Sequence, residues 1–575
     1  MSTITFTAHS SLAQGVGAHV NVIVDGRKIG STYVGSTTKT YSFTADLAPK
    51  TAHDIKLVYD NDRVINGADR NLYLKSISVA GHSFAATSQY EVYHALGQGN
   101  LASNGNMYWR GTAEFNLPAS LFGGPKAAAA PVPKFYVSTK GSDSGDGSAA
   151  HPFKTLTRAL SAMEGSSIHT TFVEGGTYNL SSTLNLGSAD SGMAFISSPK
   201  SPAMLDGGGS LTTLIQLNGA TGVTLRGLTF QHTNTSGRAA VVLNGANSNR
   251  IVGDHFVNNG EGLLLENGSN RNMVSGNELD KSASSAIEVQ NGSSSNRFDS
   301  NLVNGTGAIG TKGGGFFLHG ANNNIISHNR VENTAGIGIG VENWDSNTIN
   351  VGNVITGNVV RNTNMSPSST DSGAIYELGR SQVDTKSIIS GNYISEPYSA
   401  ASSGAHIVAI YLDDYTDGVR VINNIVANTI THAVQIHGGS NVNIQNNIFD
   451  LGAAGKSAIL FQSTGASSTG SPLSMTNNIV AHNIIASTSS SPTAFDSYSG
   501  GTPAIDNNFF MDLINSHFQT NGLAQTNAHY GNAQFANEVT GNYALGSNSG
   551  AWAIGFIAIH QGTMGLHPAT AHWYA

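Results

Sequence analysis

The sequence predicts an all-β protein in which a small β-sandwich precedes a long parallel β-helix. Three observations support this fold class: only 11% of the 575 residues are charged, 68 are glycine, and one hexapeptide pattern recurs along the second half of the chain. Few charges and abundant glycine suit short strands joined by tight turns better than helices. A repeat that stacks along one axis also explains how one domain exceeds the usual size.

The N-terminal part contains alternating apolar and polar runs separated by Asp, Asn and Gly clusters. The clearest runs are residues 20–24, 54–59 and 72–79. Because alternation with a period of two predicts strands with one buried face, these runs indicate a β-sandwich over residues 1–122. Residues 123–133 have the small residues and prolines of a linker, and the β-helix is predicted to span residues 134–575.

The second part is defined by nine copies of one hexapeptide. The copies begin at Ala240, Gly262, Ala286, Gly315, Gly338, Ala374, Ala409, Ala433 and Ala458. Their spacing corresponds to one coil of a β-helix, with insertions in the longer gaps. A second motif keeps the same phase and predicts a stacked asparagine ladder of Asn277, Asn301, Asn329, Asn358, Asn392, Asn424, Asn447 and Asn478. We interpret that ladder as structural.

Candidate functional residues lie on one outer face of the predicted β-helix. Positions two and four of the hexapeptide are apolar and should face the interior, so positions three and five face outward. Neighbouring coils are about 4.8 Å apart, so polar side chains stack along this face and offer a track for a polysaccharide. The predicted catalytic residues are Asp371, Asp413, Glu342, Glu377 and Asp414, and the predicted substrate-binding residues are Tyr376, Tyr411, His437 and His319.

Paired carboxylates are the chemical signal on this face. Glycoside hydrolysis uses two carboxyl groups that are about 5–5.5 Å apart for retention and about 6.5–9.5 Å apart for inversion. Asp371 and Asp413 fall on adjacent coils, whereas Glu342 and Asp413 fall in one column two coils apart. Glu377 and Asp414 are expected to flank the column, where crowding raises the pKa of at least one carboxyl. The residues predict a glycoside hydrolase that needs no cofactor for catalysis.

The N-terminal part also contains a loop that is dense in oxygen ligands, at residues 60–72. The chain has no cysteine, so any metal ion must be held by oxygen or imidazole ligands, and calcium takes six to eight oxygens. An Asx-rich turn without a metal ion explains the same composition. The residues alone leave both interpretations open.

The sequence of this loop resembles that of a known family. Roughly the first 85 residues resemble the calcium-dependent xylan-binding carbohydrate modules. The resemblance is seen at residues 24–26, at Asn61 with Asp62, and at residues 69–72. The resemblance implies a Ca²⁺ ion that bridges protein carboxylates and sugar hydroxyls. It assigns the metal ligands to Asp62 and Asp69, with Asp60 and Asn61 as helpers, and it implies xylan as the default sugar.

The second part resembles known β-helix proteins. Residues 135–163 resemble the capping segment of secreted pectate-lyase-like right-handed β-helix proteins. Residues 371–376, 409–414 and 436–439 resemble β-helix glycosidases of the xylosidase and fucosidase/xylanase types. They are also similar to polygalacturonases, but no Arg-Ile-Lys follows. The resemblance implies aspartate-based hydrolysis in an extracellular protein.

Two other functions remain open at this stage. A polysaccharide lyase or epimerase needs a basic residue and a neutralising cation, and the basic groups near the column are few: Lys312, His319, Arg380 and His437. A non-catalytic glycan-binding surface protein would use the β-helix as a rigid spacer. The scarcity of basic groups favours hydrolysis of a neutral or weakly charged glycan.

Charge and hydropathy restrict the partners. The net charge is -8, and no Lys/Arg run offers a footprint for nucleic acid. No apolar stretch is long enough to span a bilayer, and the first six residues lack the features of a signal peptide. The expected partner is a plant xylan-like polysaccharide or a bacterial exopolysaccharide, and the expected location is extracellular, with the oligomeric state undetermined.

Overall fold

The structure is a computed structural model that describes residues 2–48, 52–65, 67–86, 91–95, 99–101, 105–118, 121–122, 134–198, 200–236, 238–307, 314–395, 406–464, 475–498, 501–512 and 518–566. The chain divides into two compact units, Met1–Val132 and Pro133–Ala575. The linker predicted over residues 123–133 lies outside the described residues, as does the insertion before Ala409 at residues 396–405. Among the described residues, no helix is long and apolar enough to cross a membrane.

The first unit is a β-sandwich, as the alternating runs predict. Every second residue of the Ser2–Ser10 strand is buried, and Phe6 on this sheet shares one core with Val22 and Leu57 on the other. Within the described residues, one antiparallel sheet contains Asn106–Met107, Leu72–Val79, Ser2–Ser10 and Lys39–Ala45, with His82–Ala85 beside Leu72–Val79. The other contains Gly99–Leu101, Glu91–Ala95, Gly111–Leu117, His53–Tyr59, His19–Val24 and Arg27–Tyr33, and Val64–Ile65 pairs separately with Ala68–Asp69.

The second unit is a parallel β-helix built from three long sheets, here called sheets A, B and C. Each coil adds one strand to each sheet, and side chains from all three fill a continuous apolar interior. The helix Leu156–Glu164 buries Leu156, Ala159, Leu160 and Met163 against the first coil. Its N-terminus is capped by the Thr155 side chain, which accepts a hydrogen bond from the Arg158 N–H.

The strands of the described residues are as follows. Sheet A contains Phe135–Val137, Thr170–Val173, Ala194–Ser197, Thr224–Arg226, Arg250–Val252, Met273–Ser275, Arg297–Asp299, Ile325–Ser327, Val354–Thr356, Ile388–Ser390, Arg420–Ile422, Asn443–Gln445, Ile479–Ala481, Ala504–Asp506 and Gln525–Thr526. Sheet B contains Gly176–Asn179, Ala203–Asp206, Leu228–Gln231, His255–Val257, Glu278–Asp280, Leu302–Asn304, Arg330–Glu332, Val359–Arg361, Tyr393–Ser395, Ile425–Ala427, Ile448–Asp450, Ile484–Ser487, Phe509–Asp512 and His529–Gly531. Sheet C contains Leu184–Leu186, Ile215–Asn218, Ala239–Asn244, Glu261–Glu266, Ile287–Gln290, Phe316–His319, Ile339–Asn343, Asp371–Gly379, His406–Asp413, His432–His437, Ser457–Gln462 and Phe495–Tyr498.

Sheet C is the face that carries the hexapeptide. Its second and fourth positions line the interior, as predicted, for example Ile410 and Leu412. The first position, Ala or Gly, is also interior, because the pairing between neighbouring sheet C strands skips this residue in several coils. The residue before the hexapeptide therefore faces outward, as Val408 does when it packs against Tyr411. Sheet C thus presents an outward column at the residue before the hexapeptide, where simple alternation predicts an interior one.

Buried asparagines stack at two turns of the β-helix. One ladder, before the sheet A strands, is Asn249, Asn272, Asn296, Asn324 and Asn353. The other, before the sheet B strands, is Asn277, Asn301, Asn329, Asn358, Asn392, Asn424, Asn447, Asn483 and Asn508. Asn478 lies at the first turn instead, where it accepts a hydrogen bond from the Val442 N–H. The structural interpretation of these asparagines is supported by their burial and mutual hydrogen bonds.

The C-terminal segment covers the side of the β-helix. The strands Phe535–Asn537 and Asn542–Leu545 pair with each other, and Ile554 and Phe556 pack with Ile448 from the outer side of sheet B. The Gly565 N–H donates to the Gly357 carbonyl, several coils back along the stack. This segment therefore shields sheet B and leaves the outer side of sheet C to other contacts.

Candidate functional site

The register of sheet C brings the predicted residues of two neighbouring coils together. Tyr376 lies opposite Tyr411, and their ring centroids are 5.5 Å apart. Leu378 lies opposite both Glu342 on one side and Asp413 on the other, so these two carboxylates share a column two coils apart, as predicted. Asp371 begins its strand opposite His406.

Asp413 is the most strongly held carboxylate of this group. Its Oδ2 accepts a hydrogen bond from the Tyr376 hydroxyl at 2.7 Å, and its Oδ1 lies 2.7 Å from His437 Nδ1 and 2.8 Å from the Asp414 N–H. Burial alone would raise the pKa of Asp413, but the hydrogen bonds from His437 and Tyr376 outweigh burial and hold the pKa below its usual value. Asp413 is therefore ionised at neutral pH.

Asp371 has the opposite electrostatic setting. Partial burial and the nearby charge of Asp413 raise its pKa, although His406 and His437 oppose the change. Tyr411 interacts with both carboxylates through its hydroxyl, which places the two acids around one side chain. Two neighbouring carboxyls whose surroundings move their pKa values apart are the arrangement that acid and base catalysis requires.

Basic side chains, His437 and Arg380, lie next to Asp413 and Asp414. Burial would lower the pKa of His437, but Asp413, Asp414 and Asp371 together raise it. Asp414 accepts a hydrogen bond from Arg380 Nε at 2.6 Å, and its Oδ1 is 3.5 Å from His437 Nδ1. Asp413, Asp414 and His437 also have ligand atoms close enough to one another to hold a metal ion. When His437 is neutral, these three side chains can therefore serve as ligands of a cation.

Glu342 lies at the edge of this site and is nearly inaccessible. Its residue is 1% exposed, and its carboxylate accepts a hydrogen bond from the Trp344 indole N–H. Trp344 is 37% exposed, and the Arg380 guanidinium lies 4.5 Å from the centre of its ring. An exposed tryptophan beside paired carboxylates is a suitable surface for the apolar face of a sugar. Glu342 therefore supports Trp344, and its catalytic pairing with Asp413 stays a prediction.

The structure does not bring Glu377 or His319 to the Asp371–Asp413 pair. Glu377 lies opposite Val341 and Leu412 and faces the interior, where burial raises its pKa to about 7 and neither carboxyl oxygen has a hydrogen-bond partner among the described residues. Our expectation that Glu377 flanks the outer column is wrong, because the fourth position of its hexapeptide points inward like the others. His319 lies one coil before Glu342 and packs against the Phe317 ring at 4.1 Å.

Two residues of the site were missed from the sequence. His406 lies opposite Asp371, and its Nε2 interacts with the Gln435 side-chain oxygen. The available signal was its position, three residues before Ala409, which matches the position of Asp371 before Ala374. Trp344 lay just outside the hexapeptide, where no periodicity drew attention to it.

The N-terminal unit brings two of its four predicted calcium ligands together. Burial and the charge of Asp69 raise the pKa of Asp62, so the two carboxylates lie near each other. Asn71 donates to Asp69 Oδ2 at 3.0 Å, and its own Oδ1 is buried without a hydrogen-bond partner. Crowded carboxylates beside an unpaired amide oxygen match the donor set of a calcium ion. The residues present therefore fit this metal.

Asp60 and Asn61 serve neighbouring strands instead. Asp60 interacts with His19 Nδ1 at 2.8 Å and accepts from Asn21 Nδ2 at 2.6 Å. Asn61 accepts from the His19 N–H at 2.6 Å and donates to the Gly17 carbonyl at 3.1 Å. Their oxygens are committed to holding the base of the loop, so they remain helpers of a calcium site at most.

Comparisons with known proteins agree with both units. A model of the Ca-dependent xylan-binding carbohydrate-binding modules, CBM60, matches residues 3–94, and a model of the right-handed β-helix region matches residues 213–383. No curated protein is a significant match to the sequence. The chain therefore has an N-terminal carbohydrate-binding module of a calcium-dependent family and a right-handed β-helix, as predicted.

Solved structures that share the β-helix are distant. A glycoside hydrolase is 12% identical, with a TM-score of 0.47 over 55% of this chain and 96% of its own. The catalytic domain of a GH87 α-1,3-glucanase variant in complex with tetrasaccharides is 13% identical, with a TM-score of 0.43 over 86% of each chain. A mannuronan C-5 epimerase A-module from Azotobacter vinelandii is 10% identical, with a TM-score of 0.41 over 65% of this chain and 94% of its own.

Proposed function

We propose that this protein binds a polysaccharide through its N-terminal module and hydrolyses its glycosidic bonds at Asp371 and Asp413. The observation that carries the proposal is the pair of opposite pKa shifts on two carboxyls that share Tyr411. One acid is thereby ready to give a proton while the other is ionised, which is the requirement for hydrolysis by paired carboxylates. Glu342 is the alternative partner of Asp413 at the longer, two-coil separation.

In the proposed reaction, Asp371 is the general acid. It transfers its proton to the glycosidic oxygen as the bond to the anomeric carbon breaks. Asp413 either attacks that carbon directly or removes a proton from the attacking water, and the separation of the two carboxyls in the complex decides between these courses. Tyr376 and His437 hold the Asp413 carboxylate in place, and Trp344 offers a flat surface to a sugar ring.

In the module, we propose that Asp62 and Asp69 hold a calcium ion, together with the unpaired oxygen of Asn71. A bound calcium ion supplies coordination sites for sugar hydroxyls. The family description of the matching model makes xylan the first polysaccharide to test. A module of this kind in the same chain as a polysaccharide-degrading site suits an extracellular protein that remains attached to an insoluble substrate.

The test is a reducing-end assay on xylan, galactan, pectin, α-1,3-glucan, alginate and bacterial exopolysaccharides, with ultraviolet absorbance recorded in parallel. Wild type is compared with Asp413→Asn and with Glu278→Gln, a carboxylate on the separate sheet B. New reducing ends without ultraviolet absorbance, lost only in Asp413→Asn, support hydrolysis. No product on any glycan, with calcium-dependent retention still present, favours a non-catalytic glycan-binding protein.

One observation favours a lyase or epimerase as the second candidate. The ligand atoms of Asp413, Asp414 and His437 all lie within 4.8 Å of one another, so the site has the donors to hold a divalent cation beside a uronate carboxylate. Arg380 adds a positive charge nearby. Ultraviolet-absorbing unsaturated products would identify a lyase, and a change of uronate configuration without cleavage, followed by NMR, would identify an epimerase.

A further inference from the structure

A second group of carboxylates lies on the outer side of sheet C, nearer its N-terminal end. Glu261 and Glu266 are at the two ends of one strand, and Glu288 is on the next strand, opposite Leu264. The strand that begins at Asp371 follows four coils after the Glu261–Glu266 strand, which corresponds to about 19 Å along the stack. The group is therefore separate from the Asp371–Asp413 pair but lies on the same face.

The three carboxylates have different neighbours. Glu266 is 7% exposed, accepts a hydrogen bond from Arg238 Nη2, and lies 3.4 Å from Gln290 Nε2. Glu261 is also 7% exposed, but its Oε1 is buried without a hydrogen-bond partner. Burial and then the charge of Glu288 raise the pKa of Glu261, and burial and then Glu266 raise the pKa of Glu288. The site thus combines two carboxyls whose pKa values are raised with a carboxylate that is paired with an arginine.

This combination suits sugar hydroxyls better than a metal ion. Among the described residues, the clusters with ligand atoms close enough for an ion are His255 with Glu278 and Asp280, and Asp413 with Asp414 and His437, so the three glutamates do not converge on one point. A sugar hydroxyl both donates and accepts hydrogen bonds. A protonated carboxyl can donate to one hydroxyl while a carboxylate accepts from another. A buried carboxyl oxygen that lacks a partner is costly until such a ligand supplies one.

One outward column connects the two regions. The pairing of neighbouring strands aligns Glu288 with Phe317, Gly340, Tyr376 and Tyr411 in successive coils. After Glu288, this column contains no charged side chain as far as Tyr411. A Cβ atom added at Gly340 would lie 2.9 Å from the Phe317 ring, so this ring covers the glycine backbone. The connecting stretch is therefore apolar, and its rings are largely buried, with Phe317 9%, Tyr376 8% and Tyr411 2% exposed.

We propose that Glu261, Glu266 and Glu288 form a second glycan-binding site, which holds the same polysaccharide chain that reaches the Asp371–Asp413 pair. The proposal rests on the proposed function for the identity of its ligand as a glycan. It implies that the protein prefers polymers long enough to span both regions. A disaccharide can occupy only one of them.

The test measures binding in the Asp413→Asn background, so that no chain is cleaved. Affinity electrophoresis compares Glu288→Ala with the sheet B control Glu278→Gln. The polymers are xylan, galactan, α-1,3-glucan and alginate, and each is tested with and without its own disaccharide as a competitor. EDTA is present to suppress the module. We expect Glu288→Ala to weaken polymer binding about ten-fold, as the loss of one or two hydrogen bonds does, without changing disaccharide binding. Glu278→Gln should change neither.

A milder variant separates binding from folding. Glu288→Gln keeps the shape and hydrogen-bonding capacity of a protonated carboxyl, so it should retain more polymer affinity than Glu288→Ala at the same melting temperature. If Glu288→Ala binds every polymer as tightly as its parent, or if no polymer is bound in EDTA, the second site is wrong. A third outcome separates the two proposals. If Glu288→Ala loses polymer binding and the wild-type protein cleaves no glycan, the second site is kept and the proposed hydrolysis is rejected.

Discussion

The two stacked polar arrays of the β-helix, the buried asparagine ladders and the carboxylate face of sheet C, use one coil spacing for opposite purposes. In the ladders, each amide donates to the next identical amide, as Asn301 does to Asn329 at 2.9 Å, and no charge is present. On sheet C, Asp371, Tyr376 and Asp413 differ from coil to coil, so each group changes the pKa of its neighbours. A stack of identical amides that bond to one another stabilises the fold. A stack of unlike ionisable groups shifts their pKa values, which acid and base catalysis can use.

If the carboxylate face performs the chemistry, Asp413→Asn should have the largest effect. We expect kcat/KM on the cleaved polysaccharide to fall about 10³-fold or more, because the ionised group is replaced by a neutral amide. The melting temperature should change little, since Tyr376 and His437 retain a hydrogen-bonding partner. Equal losses of activity and of stability would instead assign Asp413 to the structural array.

In the ladder, Asn329→Ala should produce the largest loss of stability. The substitution leaves the Asn301 amide, its backbone N–H and the Phe298 carbonyl buried without their present partners. At about 1–3 kcal/mol for each unsatisfied group, we expect the free energy of unfolding to fall by at least about 3 kcal/mol. Chemical denaturation measures this change, and the exposed Asn185→Ala should alter it by less than about 0.5 kcal/mol.

The contrast between these arrays also shows what the sequence could predict. The hexapeptide fixes the coil register, and the register alone aligns Tyr376 with Tyr411 and Glu342 with Asp413, so the fold and most of the site followed from spacing. Glu377 was misplaced because the chain tolerates a carboxyl in the interior, near Ser387, where apolar residues are the rule. Polar exceptions of this kind depend on neighbours from other coils, which a periodic pattern does not contain.

Contacts between distant segments explain the other differences. Asp60 and Asn61 have the residue types of calcium ligands, but their hydrogen bonds to the His19–Val24 strand cannot be seen in the loop sequence. Trp344 and His406 lie outside the hexapeptide: Trp344 follows the Ile339–Asn343 strand directly, and His406 begins the His406–Asp413 strand. Residue type and period therefore locate a site, but deciding which of the candidate residues belong to it requires the three-dimensional contacts.

The proposed roles of the two aspartates predict a bell-shaped dependence of kcat/KM on pH. The ascending limb should lie below the usual carboxyl range, because Asp413 must be ionised and its pKa is lowered, and the descending limb should lie above that range, because Asp371 must be protonated and its pKa is raised. Asp371→Asn should remove the descending limb and reduce kcat/KM about 10²-fold on a polysaccharide. An aryl glycoside with a good leaving group should lose much less, and an equal loss on both substrates would reject Asp371 as the acid.

The last prediction concerns a carboxyl that occupies the end of an asparagine ladder. Asp254 takes the position before Asn277: its N–H donates to Asn277 Oδ1 at 2.9 Å, and its Oδ1 accepts from the Leu228 N–H at 2.8 Å. Its Oδ2 is buried without a hydrogen-bond partner, where each ladder asparagine has an N–H₂ group. Burial raises the pKa of Asp254 to about 8, so this carboxyl remains protonated in the fold at neutral pH.

Protonation of Asp254 makes its effect on stability depend on pH. The folded pKa is above the unfolded value, so between about pH 4 and 8 the folded state holds a proton that the unfolded state has released, and stability falls as pH rises. Asp254→Asn supplies a permanent amide donor and removes this loss. We expect the variant to be about 4 kcal/mol more stable than wild type at pH 7 and equal to it near pH 4, as measured by chemical denaturation at both values. A variant that is less stable at pH 7 would mean that Asp254 is ionised in the fold, and the ladder would then include a charge.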